Sequence, residues 1–590
     1  MSPQHRRKPF SGKAKKQQLQ EKKARKAAEA QREEEEDRKQ MEDLQSSFRK
    51  FVPATETHEP LQPGVKYFSG ASGAHGRLFS NFEKLSPGAI EKARLQSMKP
   101  FKRLPQEIGL EIGENAVSAY INFPKRPQWG YDMTREELDE QETKYFQEWM
   151  LSVEDKYGSE DGESQLSLYE RNLEVWRQLW RVLEISDIVI VVMDIRHPLL
   201  HFPKPLYDYV TRDLKRKIVG VFNKVDLVSE FTVFAWRNYF EEKFPELQVV
   251  CFSCFPRDER FIDDTKTYAL KARAKRPKKR YYTAQGVKDL LRTCSEIKLD
   301  KAGLQVDWEE LIKRYDQDEV DIEEEYKKLP LEEDSEDDSD TGSMVGLDDE
   351  FSRILDITSR NVAPHRDYIT LGLVGHPNVG KSSLINSIMK RTVVSASRTP
   401  GHTKHFQTIH LSDTIRLCDS PGLVFPTLLP RALQILSGMY PIAQVQEPYS
   451  VVQYLAERVP LEDILSLTPP DLEEAASYLW SAWSICEAFA VQRGFFTAQA
   501  ARPDVYRAAN TILRLVNDGR ILMSFKPPGF FKTSKYEKLR VQEAMKNERE
   551  EASRNKEQEQ SDEEEGEEEE ELDPGNIQSK NAFALLADED

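Results

Sequence analysis

Gly375-His376-Pro377-Asn378-Val379-Gly380-Lys381-Ser382 decides the fold. The octapeptide fits G-x-x-x-x-G-K-[ST]. An apolar strand pattern, Tyr368–Val374, precedes it, and a helical pattern, Lys381–Met389, continues from it. The glycines let the backbone wrap tightly, so that its N–H groups point at phosphate oxygens. The helix N-terminus adds a favourable dipole. In such a loop Lys381 reaches the β and γ phosphates and Ser382 ligates magnesium. The candidate phosphate contacts are Gly375, Asn378, Val379, Gly380, Lys381, Ser382 and Ser383.

Working outward, Asp419-Ser420-Pro421-Gly422 closes the strand pattern Ile415–Asp419, 38 residues beyond Lys381. A carboxylate there holds magnesium through water, and the Gly422 N–H faces a γ-phosphate. Between the two motifs lies Thr399-Pro400-Gly401-His402-Thr403-Lys404, whose hydroxyl would close over the metal. Thr403 is preferred to Thr399. Asn223-Lys224-Val225-Asp226 ends another strand pattern, Ile218–Asn223. Asp226 accepts from N1–H and the 2-amino group of guanine. Adenine has no 2-amino donor and leaves a buried hydrogen bond unmade. Lys224 is expected along the base, and Asn223 is expected to tie this loop to the phosphate loop. Ser253-Cys254-Phe255 follows the next strand and offers a backbone N–H to the guanine carbonyl. Cys251 and Cys254 form one C-x-x-C without a second pair, so no zinc site is expected.

The order of these motifs is informative. The guanine loop comes first and the phosphate loop, threonine loop and D-x-x-G follow. This order resembles the large-ribosomal-subunit GTPase family, whose GTPase domain is circularly permuted. Tyr169–Val182 (YERNLEVWRQLWRV) and Arg7-Lys8-Pro9-Phe10-Ser11 are also similar to that family. Two positions depart from it. The family's Asp-Ala-Arg-x-Pro reads Asp194-Ile195-Arg196-His197-Pro198, and its Ser-Ala-Lys reads Ser253-Cys254-Phe255. The resemblance implies an α/β P-loop GTPase domain, GTP/GDP and magnesium as ligands, and a C-terminal helical domain that contacts ribosomal RNA. It also implies a potassium ion on Asn378 in place of an arginine finger. A loop-stabilising role for Asn378 is the alternative.

The residue after D-x-x-G is Leu423, where Ras-like proteins carry the water-orienting Gln. Slow intrinsic hydrolysis is therefore expected, with Lys381, Asn378, Thr403 and Gly422 as the residues acting on the chemistry. The D-x-x-G segment leads straight towards the helical stretch beginning near Leu429, so a loop ordered by γ-phosphate would pull directly on that stretch.

Around this centre the 590-residue chain is strongly charged, with 31% Asp, Glu, Lys and Arg and a net charge of −17. The signs are segregated. Residues 1–26 carry ten Lys/Arg against one acid, while nine of residues 562–571 are acidic. Blocks of this kind stay solvated. Four parts are expected: a basic, largely disordered arm (1–135), the permuted GTPase domain (136–430) with a charged insertion (256–367), a helical domain (431–540), and an acidic disordered tail (541–590). Residues 136–186 read as helical. Between 493 and 540, ten Lys/Arg face three acids, with Phe525, Phe530 and Phe531 interleaved, a composition suited to RNA. The longest apolar run, Ile188–Met193, is too short to span a membrane. The N-terminus carries no secretory-signal pattern, and five cysteines do not build a disulfide scaffold.

The expected function is a slow GTPase switch acting on a pre-ribosomal particle or ribosomal RNA. The chain is expected to be a monomer, to meet an import receptor through the basic arm, and to work in the nucleus or nucleolus with shuttling to the cytoplasm. The alternative is a non-catalytic GTP-responsive adaptor in nuclear signalling. An ATP-using kinase is disfavoured by Asn223–Asp226.

Overall fold

The computed structural model describes residues 87–130, 132–157, 166–255, 284–299, 301, 306–315, 368–395, 403, 406–469, 478–497, 502–542 and 545. The basic block at 1–26, Thr399, most of the charged insertion 256–367 and the acidic tail lie outside them.

A six-stranded sheet carries the fold: β1 (Ile188–Asp194), β2 (Lys217–Asn223), β3 (Gln248–Cys251), β4 (Ile369–Val374), β5 (Gln407–His410) and β6 (Ile415–Asp419). Their spatial order is β3-β2-β1-β4-β6-β5. All neighbours are parallel except the β5–β6 edge pair. β1 is buried along its whole length, as a strand covered on both faces must be. Its alternation divides the core. Val189, Val191 and Met193 join one apolar cluster, and Ile188, Ile190 and Val192 join the other. β1 and β4 meet at the centre, with Ile188 opposite Leu371 and Val191 opposite Val374. The base-loop half of the sheet precedes the phosphate-loop half in the chain, so the permuted α/β fold is present.

Helix Leu173–Ile185 crosses the sheet on the first face. The Asn172 side chain caps its N-terminus by accepting from the Glu174 N–H. The helix comes so close to β4 that a Cβ on Gly372 would lie 2.0 Å from Ser186 Oγ. Trp176 and Trp180 are fully buried, and their indole N–H groups donate to Glu170 O and Pro124 O.

Three expectations change. Residues 136–186 are not one helix: helix Arg135–Tyr157 and helix Leu173–Ile185 are separate, and 166–172 is non-helical. Those residues bond elsewhere, with Ser167 N donating to Thr427 O and Glu170 N to Val424 O. Residues 87–130 and 132–135, expected within a disordered arm, are largely folded, and Phe123 packs at 2% exposure against Trp176 and Phe425. The sequence predicts one short helix, Gln285–Leu291, in the charged insertion and exposed linker over most of 300–350, and the fold there goes further. Helix Val287–Glu296 and the buried Leu311 and Tyr315 cover the second face of the sheet.

Residues 431–540 are helical among the described residues but share their core with the sheet. Ile485, Phe489, Ile512 and Leu513 belong to the same apolar cluster as Val189 and Phe222. Phe525 and Phe530 are 3% and 1% exposed, so these rings fill the interior and do not offer themselves to bases. The aromatic part of the RNA reading therefore fails for those two.

Candidate nucleotide site

The phosphate loop sits between β4 and helix Lys381–Ile388. Its shape depends on glycine. Gly375 has φ +151, and a Cβ there would lie 2.6 Å from Val192 O. Gly380 has φ +98, and a Cβ would lie 2.2 Å from Asn223 Nδ2. That second approach exists because Asn223 donates to Val379 O at 2.7 Å, tying the base loop to the phosphate loop. Lys381 Nζ donates to Gly375 O at 2.9 Å and His376 O at 2.8 Å. Burial lowers its pKa to about 8. The ammonium thus waits beneath the loop, where a phosphate would supply the missing charge partner. Ser383 is half-buried in the first helical turn.

Ser382 Oγ donates to Asp419 Oδ2 at 2.8 Å and lies 3.1 Å from Thr403 Oγ1. Asp419 Oδ1 is buried without a hydrogen-bond partner, and burial raises this carboxyl to about 6. Two hydroxyls grouped with a carboxylate that keeps one buried oxygen free fit a hard divalent cation. Ser382, Thr403 and Asp419 are the residues that would hold magnesium, whose charge would offset that of the phosphates. Gly422 lies against the phosphate loop, so that a Cβ would sit 2.7 Å from Pro377 Cα.

Beyond Gly422 the chain is pinned. Leu423, Val424 and Phe425 are buried. Ile121 N donates to Pro426 O, and Leu428 N donates to Ala119 O. Leu423 is an apolar side chain with nothing to polarise a water.

At the base end, Asp226 accepts from Ser253 Oγ. Burial outweighs that bond and keeps the Asp226 carboxyl above the usual range. Ser253 N–H itself donates to Gln285 O, and Phe255 N–H donates to Ser253 Oγ. Ser253 therefore buttresses Asp226 and does not present its own amide to a base. Lys224 takes a left-handed φ of +65 and places Nζ 2.8 Å from Asp194 Oδ2.

Two contacts were not foreseen. Asn378, at φ +59, donates from Nδ2 to Gly438 O at 3.0 Å. Arg196, 1% exposed, grips Asp194 with two bonds and reaches Val516 O. The signal for the second was present as the D-x-R spacing of Asp194 and Arg196, but its backbone partner is not encoded in any motif.

The chain is similar in sequence to proteins of known family. A family model described as 50S ribosome-binding GTPase matches residues 370–458. Guanine nucleotide-binding protein-like 1 of Macaca fascicularis is 44% identical over 543 residues, covering 89% of this chain and 86% of its own length. The protein of the same name from Homo sapiens is 43% identical over the same span. Large subunit GTPase 1 homolog of Drosophila melanogaster is 32% identical over 416 residues, 69% of this chain and 64% of its own length. The solved GNP-bound YlqF from T. maritima matches at TM-score 0.31 and 16% identity, over 60% of this chain and 98% of that one. A GTPase by its loops and by its relatives, the chain belongs to the circularly permuted GTPase family that includes guanine nucleotide-binding protein-like 1 and large subunit GTPase 1 homolog.

Proposed function

We propose that this GTPase is a slow nucleotide switch acting on a large-subunit ribosomal particle. The observation that carries the slow turnover is Leu423. It is 2% exposed directly after D-x-x-G, so the protein supplies no polar side chain there to orient the attacking water. Asn378 is the candidate for the missing charge. Its amide nitrogen is committed to Gly438 O, which leaves Oδ1 as a ligand for potassium. Lys381 and the Gly422 amide would hold the γ-phosphate, and Thr403 would close over the magnesium position.

The particle is suggested by the relatives' names, 50S ribosome-binding GTPase and large subunit GTPase 1 homolog. Exposed Arg502, Arg507, Arg514, Lys532 and Lys538 give the helical region cations for RNA phosphates. The basic block at 1–26 suits an import receptor, with the chain acting as a monomer in the nucleus or nucleolus and shuttling to the cytoplasm.

The test is GTP hydrolysis by the full chain in potassium and in sodium, with Asn378→Ala, with and without purified large-subunit particles. Stimulation by potassium that Asn378→Ala abolishes supports the ion, and stimulation by particles supports the switch. Equal rates in both salts and no response to particles would sink both.

A further inference from the structure

Asp194 ends β1 with a side chain 1% exposed, and its two oxygens serve two masters. Oδ1 accepts from Arg196 Nε at 3.0 Å. Oδ2 accepts from Arg196 Nη2 and Lys224 Nζ, both at 2.8 Å. Arg196 then extends away from the nucleotide loops. Its Nη1 donates to Val516 O at 2.8 Å, at the C-terminus of helix Val505–Asn517. Val516 O already accepts from the Gly519 N–H at 3.0 Å, and the buried guanidinium adds a second bond to it at the partial negative charge of the helix C-terminus. Beside this contact Gly519, at φ +77, passes so close to the base loop that a Cβ would lie 3.1 Å from Leu227 Cδ1. The helix end thus touches the base loop directly at Leu227 and indirectly through Arg196, Asp194 and Lys224.

We propose that Arg196 is a positioning residue for the guanine base: it makes the hold of Lys224 on the base depend on helix Val505–Asn517 staying docked. The proposal rests on reading Asn223–Asp226 as the base loop. Lys has three donors and a flexible stem, so its direction is set by its partner. Asp194 is that partner, and Arg196 fixes the Asp194 carboxylate in a two-bond fork. When the helix end moves, Arg196 loses its carbonyl anchor, the fork it makes with Asp194 is no longer held in place, and Asp194 ceases to aim Lys224. Base affinity then falls while the phosphate loop, anchored by Asn223 to Val379, keeps its shape. By linkage, a ligand that lifts the helix end weakens nucleotide binding, and bound nucleotide holds the helix end down.

The experiment uses the full chain and a fluorescent GDP analogue, with competition by GDP, inosine diphosphate and magnesium pyrophosphate. Arg196→Gln is expected to speed analogue release by about tenfold, the effect of one lost charge-assisted hydrogen bond. It should weaken GDP and inosine diphosphate by one common factor, because the stem of Lys224 packs on the base without reading its 2-amino group. Pyrophosphate affinity should stay within about twofold of the unsubstituted chain. Release within that same margin, or pyrophosphate weakened as much as GDP, overturns the proposal. Amide exchange on the unsubstituted chain keeps the test open where the variant fails to fold. GDP should slow exchange at residues 516–521 and pyrophosphate should not, and equal exchange under both overturns the coupling. Asp226→Asn is the control for the base loop. If it leaves GDP affinity unchanged, the base-loop reading falls and the proposal with it.

Discussion

Three histidines buried under the phosphate loop should make this protein acid-labile by a calculable amount. His197, His201 and His376 are each 0% exposed. His201 lies between the other two, with ring centroids 6.3 Å from His197 and 5.6 Å from His376. Both nitrogens of His197 and His201 are buried without a partner, as is Nδ1 of His376. Burial lowers His197 and His201 to about 3, and His376 also falls well below its usual value. A histidine with a lowered folded pKa contributes stability that is complete above the unfolded value of ~6.5 and is lost as pH falls towards the folded value. Between pH 7.5 and pH 5 His197 and His201 should each cost about 2 kcal/mol, about 4 kcal/mol together, and His376 adds a loss of the same sign. That is much of the ~5–15 kcal/mol available to a folded protein. Urea unfolding of the nucleotide-free chain at pH 7.5, 6 and 5 measures the loss. His201→Phe should be close to neutral at pH 7.5, since it removes two unpaired buried nitrogens. It should then be about 2 kcal/mol more stable than the parent at pH 5. Carboxylates titrate alike in both chains and cancel in the difference. A parent and variant that lose stability in parallel from pH 7.5 to 5 would refute the reasoning, because the histidines would then be hydrated or already charged.

Other expectations follow from single contacts. Gly422→Ala sets a methyl 2.7 Å from Pro377 Cα and should weaken GTP more than GDP, read by calorimetry. Asp226→Asn replaces two acceptors by one acceptor and one donor, and should move preference from guanine towards xanthine nucleotides in a competition assay. Asp419→Asn relieves the ionised, orphaned oxygen of a carboxyl raised to about 6. Because that folded pKa is raised, its penalty is absent below about pH 4 and complete above about pH 6. The variant should match or exceed the parent in melting temperature at pH 7.5 with chelator present, yet gain nothing from magnesium and nucleotide.

Much of the site was readable because its constraints are local. Gly375 and Gly380 are needed for backbone geometry within their own loop, and β1 shows itself by an unbroken apolar run. β5 left no such mark. Gln407–His410 is short, half-buried and polar, and it is a strand only because β6 lies beside it. Arg196 and Asn378 were visible as residues, but their acceptors are backbone carbonyls 320 and 60 positions away. Any residue can supply a carbonyl, so no side-chain pattern announces the partner. Phe525 and Phe530 sat among cations in the chain, and only packing shows that their rings face inward. An amide contact is expected of Ser253-Cys254-Phe255 as a loop; that the Ser253 amide is not the one available follows from its pairing with Gln285, which depends on the chain returning across the end of β3.

The central pairing of β1 with β4 also governs how the protein is made. Ile188 finds β2 soon after synthesis, but its other neighbour, Leu371, leaves the ribosome far later. At about 5–20 residues per second the delay is on the order of ten to forty seconds. Throughout it, one edge of a strand reading Ile-Val-Ile-Val-Val-Met stays unpaired, which is the kind of surface that templates aggregation and recruits chaperones. The base half of the site is finished first and has no phosphate loop to work with. Nucleotide is therefore bound only by a chain whose two halves have already met, and the ligand's arrival marks the completion of the fold.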